Sequence, residues 1–293
     1  MPSWNCSRGR MIVATRWRIA LTAAAIDGHC PNPQPALSQM PEPPAPCVPP
    51  APAARLRLRA ALDLLAALRV LLSGYRIGAL PQVLDLQRLD ADNLQLVTET
   101  LGNGEVSARI AGSEPASISE TRLAGVWRVR QQDPAGTLVR DVLEVADIPG
   151  LIRFGAFDDA RDRLPLPSAL PPGIMNAPGV LAELDANLAA RAGGETAVHI
   201  VNLGLLPLSA ADHAFLREQL GGGRVWLVAG GYGRCEMRAT ALRPVWWVQH
   251  FNSEGRLLLD SLEVTTCPVA ALATQEDIDD SGERLHELLE TWG

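Results

Sequence analysis

Two stretches of this chain, residues 83–146 and 202–265, align with each other at a constant offset and without a gap. The offset is 119 positions, the distance between Trp127 and Trp246, which fall on one another. Leucines, glycines and an acidic–apolar run coincide along both stretches in the same way. Chance does not hold a constant offset over some sixty positions, so the sequence predicts a duplicated module.

Hydrophobic periodicity predicts a helix, a strand, a second helix and an antiparallel meander for the first copy. Leucines at helical spacing run from Leu56 to Leu72, and Asp90 is suited to cap a helix that ends at Leu101. The run Asp133–Gly136 predicts a hairpin turn. The predicted strands are 83–86, 105–110, 117–123, 125–131 and 138–145.

The second copy repeats this order of elements. A helix is predicted at 180–190, and Ser209 with Asp212 three residues later fits the start of a helix that ends at Leu220. A last helix is predicted at 274–292. Strands are predicted at 199–203 and around Val225, Met237, Trp246 and Leu258. The predicted fold class is therefore α+β, an internal duplication of a helix–strand–helix–antiparallel meander module, and the apolar strands favour an intimate interface between the copies.

Changes in composition divide the chain into four parts. Residues 1–53 are rich in proline and are predicted to be disordered, because they have little to bury. Their beginning has the outline of a signal peptide, and a later start of translation is an alternative that the sequence leaves open. The first repeat is placed at 54–150, an irregular linker at 151–176 and the second repeat, with its acidic terminal helix, at 177–293.

Charge and cysteine usage narrow the classes of function. The net charge of −7 argues against a nucleic-acid-binding protein, because phosphate contacts need a basic face. There is no apolar run long enough to span a membrane. The five cysteines follow no metal-binding spacing, so we predict neither a metal site nor a cofactor. A reducing, cytoplasmic compartment is the simplest interpretation.

The run Gly231-Tyr232-Gly233 is the most unusual local chemistry. It is either a tight turn, whose glycines adopt positive φ, or a backbone nest that closes on an anion or on a partner strand. Cys235 is either a small buried hydrophobic residue or an exposed thiol that touches a cluster, a metal or another thiol. The first copy has Ala116 at the position of Cys235, so a thiol is not needed for the shared core.

The tryptophans fall into two groups. Trp246 has its match in Trp127, and both are predicted to anchor the core. Trp247 must point to the other face of the sheet, because side chains alternate along a strand. With Trp226 it forms an apolar face that the first copy lacks, which is either covered by a neighbouring element or docks a partner. His250 is expected to be a polar residue at a sheet edge rather than a ligand.

Several motifs together resemble those of the HupH/HyaF/HoxQ family. They are the runs 170–178, 201–209, 231–235, 245–248, 251–253, 262–264 and 275–278. The resemblance implies an accessory protein for uptake nickel–iron hydrogenases, acting on the iron–sulfur small subunit beside a thioredoxin-like partner. It carries over no catalytic residue. Arg234 and the pair Gln249-His250 depart from the residues expected for the family.

Two hypotheses of function follow. The favoured one is a non-enzymatic assembly chaperone that binds the small-subunit precursor of the hydrogenase. The alternative is a redox or metal- and cluster-transfer enzyme that works through Cys235. Because chemistry acquired after duplication should lie where the copies differ, the predicted partner surface is in the second copy. It comprises Gly231, Tyr232, Gly233, Cys235, Trp226, Trp247 and His250.

Overall fold

Short runs with alternating apolar and polar side chains form the ten strands of one antiparallel sheet. The computed structural model describes residues 56–164 and 170–292, and it confirms the α+β class. The strands are β1 (Gln82–Asp85), β2 (Val106–Ile110), β3 (Ala116–Glu120), β4 (Val126–Gln132), β5 (Leu138–Val145), β6 (His199–Asn202), β7 (Val225–Ala229), β8 (Gly233–Ala239), β9 (Val245–Asn252) and β10 (Leu257–Val264).

Six α-helices accompany the strands in the described ranges. They are α1 (Arg59–Gly74), α2 (Ala91–Leu101), α3 (Gly150–Gly155), α4 (Ala177–Ala192), α5 (Ala210–Leu220) and α6 (Gln275–Trp292). Helix α3 lies in the linker that the sequence predicted to be irregular, so that prediction was wrong for this part. Ile152 and its apolar neighbours explain the helix, because they are buried against the sheet.

The strand order is β1-β5-β4-β3-β2-β7-β8-β9-β10-β6. Each half therefore runs from an outer edge through its meander to the middle, where β2 pairs with β7. Ala108 lies opposite Leu227 at the centre of this pair. Without the other half, β2 and β7 would each leave a row of backbone N–H and C=O groups unpaired. Their pairing satisfies these groups and makes one continuous sheet.

One face of the sheet is covered by the segment that contains α3 and by the turn Val269–Ala271. Trp127 and Trp246 are both fully buried there, in one apolar cluster that extends through both halves. The Nε1 atom of Trp127 donates to the carbonyl oxygen of Ala146 at 2.9 Å. The prediction that both tryptophans lie in the core is confirmed by their burial.

The opposite face carries two separate helix layers. Helices α1, α2 and α6 cover the outer part of the first half, and α4 with α5 covers the outer part of the second. The C-terminal helix thus packs on the first half, with Ile278, Leu285 and Trp292 buried beside α1. Between the layers, no helix or strand of the described ranges covers the middle of the sheet on this face.

Asp212 ties the two helices of the second half together. Its Oδ1 accepts hydrogen bonds from the backbone N–H groups of Met175, Asn176 and Ala177, where α4 begins, at 2.9 to 3.0 Å. Its Oδ2 accepts from the backbone N–H of Ser209, which confirms the predicted capping box at the start of α5. These donors hold the pKa of Asp212 well below its usual range.

The predicted disordered segment 1–53 and the linker run 165–169 lie outside the described residues. Among the helices of the described ranges, none is both long and apolar enough to cross a bilayer.

Candidate functional site

The two glycines around Tyr232 have separate explanations, a tight turn for Gly231 and the close approach of strand β9 for Gly233. Gly231 has a φ of 125°, a value that side chains other than glycine rarely adopt. A Cβ atom at Gly233 would collide with the carbonyl oxygen of Phe251 on the adjacent strand. Tyr232 stands at the tip with 76% of its surface exposed. The structure thus shows the tight turn, the first of the two alternatives.

Cys235 is buried beside His250 in the sheet. Its Sγ lies 3.7 Å from Nε2 of His250, and the two residues face each other across β8 and β9. Burial raises the pKa of the thiol to about 12, with a further contribution from the charge of Glu263. A thiol of this kind is protonated at neutral pH and is therefore a poor nucleophile and metal ligand.

His250 does not lie at a sheet edge, which corrects the sequence-based expectation. It is buried on β9, which has strands on both sides, and burial lowers its pKa. Glu263 lies on the same face of the sheet, opposite Trp246. Burial raises the pKa of Glu263 to about 7. The buried His250 and the half-buried Glu263 thus accompany Cys235, but the cysteine itself is closed to solvent.

Trp247 is covered by a neighbouring helix, which was one of the two alternatives for its face. It packs in the apolar cluster under α4 and α5, and its Nε1 donates to Oδ1 of Asp260 at 2.6 Å. The guanidinium carbon of Arg217, on α5, lies 5.5 Å from the ring centroid. Trp247 is therefore part of the fold and is not an exposed anchor.

Trp226 lies on the same sheet face but outside the helix layers, and 37% of its surface is exposed. Arg238 stacks on its ring, with the guanidinium carbon 4.4 Å from the centroid. Glu236 holds this arginine at 2.9 Å and also pairs with Arg234 at 3.0 Å. Arg234 in turn stacks on Phe251 at 4.9 Å.

The bare sheet surface between the two helix layers carries a row of polar side chains. Strand register makes its members successive neighbours across five strands: Arg130, Ser117, Arg109, Trp226 and Arg238. All five are exposed. We call these residues, with Arg128 and Arg234 on the same face, the central strip. On one side of the strip, Arg128 donates a hydrogen bond to Thr98 of α2. On the other side, Trp247 is buried under α5.

Potential metal ligands do not converge in the described part of the chain. No group of three or more His, Cys, Asp or Glu side chains there is placed to hold a metal ion. The chemistry that the central strip offers is instead that of a binding surface, with guanidinium donors and an aromatic ring on a rigid sheet.

Comparison with known proteins identifies the family. Residues 58–165 and 174–292 both match the family described as HupH hydrogenase expression protein, C-terminal conserved region. The chain belongs to the HupH family. Its members include a hydrogenase expression/formation protein HupQ of Azotobacter chroococcum mcd 1, which is 48% identical over 78% of this chain and 81% of the relative.

More distant members of the HupH family also align with most of the chain. The hydrogenase expression/formation protein HupH of Rhodobacter capsulatus is 43% identical over 70% of this chain and 72% of its own length. The hydrogenase-1 operon protein HyaF of Escherichia coli (strain K12) is 35% identical over 70% and 71%. A solved structure, the HupH of Thiobacillus denitrificans ATCC 25259, is 26% identical and covers 40% of this chain and 96% of that chain with a TM-score of 0.37.

The arginines of the central strip in this HupH-family chain were not predicted from the sequence as a site. Arg109 and Arg130 belong to the first half and Arg238 to the second, and only the pairing of β2 with β7 puts them in one row. A usable signal was present in β2, where Ser107 and Arg109 alternate with buried apolar residues. That alternation predicts one solvated face, but not what lies beside it.

Proposed function

We propose that the protein is an assembly chaperone in the maturation of an uptake nickel–iron hydrogenase, and that it binds the iron–sulfur small-subunit precursor in the cytoplasm. Family membership supports a role in hydrogenase expression and formation. The observation that favours binding as the mode of action is Trp226, an exposed aromatic ring braced by Arg238 on a bare sheet surface. Tryptophan and arginine are the residues that most often dominate binding energies at protein interfaces.

The state of Cys235 supports a role without covalent chemistry. Thiol exchange and cluster transfer need an accessible, ionised sulfur. Cys235 is 2% exposed, and the pKa of its thiol is raised to about 12. The alternative, a Cys235-dependent redox or cluster-transfer enzyme, would require the sheet to open before the sulfur could react.

Within the predicted partner surface, Trp226 and Tyr232 are the residues that we propose to touch the partner. Both belong to the β7–β8 hairpin, and both are exposed. Gly231 and Gly233 shape its turn. Cys235 and His250 support it from the opposite, buried face of the sheet, and Trp247 is buried under α5 on the same face as Trp226. A thioredoxin-like accessory protein is proposed as a second partner.

Co-purification tests the proposed function. The tagged full-length protein is expressed with the small-subunit precursor, and the amount of precursor retained is compared between wild type, Trp226→Ala and Tyr232→Ala. Phe154→Ala, which removes another exposed aromatic ring outside the strip, is the matched control. We expect the first two variants to retain less precursor while hydrogenase activity in cells falls. Retention by wild type no better than by an unrelated tagged protein would reject the proposal.

We also infer that the two halves of the sheet arose by duplication. Three findings support this: the matching strand order of the halves, the burial of Trp127 and Trp246 in one core, and the separate matches of residues 58–165 and 174–292 to one family model. An experimental structure in which residues 83–146 and 202–265 do not superpose would contradict this inference.

A further inference from the structure

The central strip is a local concentration of positive charge in a negatively charged chain. The strands β2, β3, β4, β7 and β8 present five arginines on this face, Arg109, Arg128, Arg130, Arg234 and Arg238. They present one carboxylate there, that of Glu236, while Asp141 of the neighbouring strand β5 pairs with Arg128. The whole chain has a net charge of −7. The charge of the strip is therefore opposite to that of the protein around it.

The strip has hydrogen-bonding capacity that the fold does not use. Within the described residues Arg109 forms no ion pair, and its neighbour Ser117 is exposed. Arg130 reaches Asp141 only at 3.9 Å, whereas Arg128 occupies the same carboxylate at 2.7 Å. A guanidinium can donate two parallel N–H groups to one carboxylate. Arg109 and Arg130 therefore retain hydrogen-bond donors for an external anion.

The row also has a regular spacing. Neighbouring strands lie about 4.8 Å apart, so Arg130, Arg109 and Arg238, on alternate strands of the row, follow one another at intervals of about 10 Å. A polypeptide in the extended polyproline II conformation has three residues per turn and advances about 3.1 Å per residue, so carboxylates three residues apart lie on one face with a similar spacing of about 9 Å. Trp226, between Arg109 and Arg238, provides an aromatic surface for the intervening residues.

We propose that the central strip binds an extended acidic segment of the protein partner, whose carboxylates pair with Arg130, Arg109 and Arg238. This proposal rests on the proposed function, because it specifies the chemistry by which a partner protein is recognised. The segment crosses the strands between the layer of α2 and the layer of α5. Electrostatic attraction on an otherwise acidic surface directs it to this position.

A peptide-binding experiment tests the proposal on the full-length protein. The probe is a fluorescein-labelled peptide of about five Glu-Gly-Ser repeats, and its anisotropy is followed at an ionic strength of about 0.05 M, where screening is weak. We expect the corresponding Gln-Gly-Ser peptide to bind at least about ten-fold more weakly, because it lacks the charge-assisted hydrogen bonds. We expect a similar loss for Arg109→Glu, and Arg109→Gln is included as a milder change.

Arg256→Glu is the matched control, because Arg256 is an exposed arginine in the β9–β10 turn outside the strip. Equal binding of both peptides, or equal effects at positions 109 and 256, would overturn the proposal. Tighter binding of a single-stranded oligonucleotide than of the acidic peptide would also overturn it.

If the peptide does not bind while the precursor still co-purifies, the strip assignment is wrong and the chaperone role stands. If the peptide binds but the precursor is not retained, the strip assignment stands and the chaperone role is wrong.

Discussion

The guanidinium carbon of Arg238 lies 4.4 Å from the centroid of the Trp226 ring, and the two residues are direct neighbours across β8 and β7. Glu236 fixes this arginine from the same strand at 2.9 Å. The stack holds a large aromatic side chain in one orientation on the surface before any partner arrives. Such pre-organisation reduces the loss of side-chain conformational entropy on binding.

The two tryptophans of this face should respond differently to truncation. Trp247→Ala removes a buried ring and leaves Asp260 without its indole donor, so we expect a loss of about 3–5 kcal/mol in the free energy of unfolding. Trp226→Ala should cost less than about 1 kcal/mol, because its ring is part of the surface. Urea denaturation of both variants measures this. Equal losses would show that Trp226 is a structural residue.

Cys235→Ala should lower the free energy of unfolding by about 1 kcal/mol, the cost of a small cavity, and leave maturation of the hydrogenase intact. In a background with Cys6, Cys30 and Cys47 changed to serine, the native protein should react with a disulfide reagent only as it unfolds. Rapid labelling of Cys235 under native conditions, or loss of maturation in a stably folded Cys235→Ala variant, would support the thiol-based alternative.

Asp212→Asn should destabilise the protein at neutral pH, because an amide nitrogen cannot accept the hydrogen bonds that Oδ2 receives from Ser209. The pKa of Asp212 is depressed in the folded state. Its contribution to stability is therefore complete above the pKa of the unfolded chain, about 4, and is lost as the pH falls through the folded pKa. The difference between variant and wild type should shrink in acid. Asp185→Asn, at an exposed position on α4, is the matched control.

Glu263→Gln should stabilise the protein at alkaline pH. Burial raises the folded pKa of Glu263 to about 7, so ionisation above that value costs the wild type stability that it keeps in acid, below the unfolded pKa. The amide removes this cost, and we expect a gain on the order of 2 kcal/mol at pH 8. The gain should vanish as the pH approaches 4. Denaturation curves of both proteins at pH 8 and pH 4 test this expectation. A gain in the free energy of unfolding that is independent of pH would contradict the raised pKa of Glu263.

Deletion of residues 1–53 should leave the melting temperature nearly unchanged. Proline is frequent there and periodic apolar residues are missing, so the segment has little surface to bury. Thermal melts of the full and shortened chains test this expectation. A drop of several degrees would show that the segment packs on the folded part.

The elements of this fold follow from the sequence because their causes are local. Alternation of apolar residues placed the strands of both halves within a few residues, and side-chain chemistry placed the caps at Asp90 and Ser209. Helix α3 was missed because it spans only six residues, too few for a periodic pattern to emerge between prolines and glycines.

Only part of the candidate site could be predicted from the sequence. The alternation along β9 and the alignment of the two similar stretches predicted that Trp247 points away from the core that contains Trp127 and Trp246. They did not predict that α5 covers Trp247 while Trp226 stays exposed. That difference depends on where a helix packs. The burial of Cys235 depends in the same way on α3 and on the opposite half of the sheet.

What the sequence determined by itself is the α+β class, the order of the elements apart from α3, and membership of the HupH family. The tertiary structure decided that β2 pairs with β7, and with it the row from Arg130 to Arg238. The physical reason is that local patterns specify which side chains share a face of one strand. Which unpaired strand edges satisfy each other is a long-range choice, made by the burial and hydrogen bonding of the whole sheet.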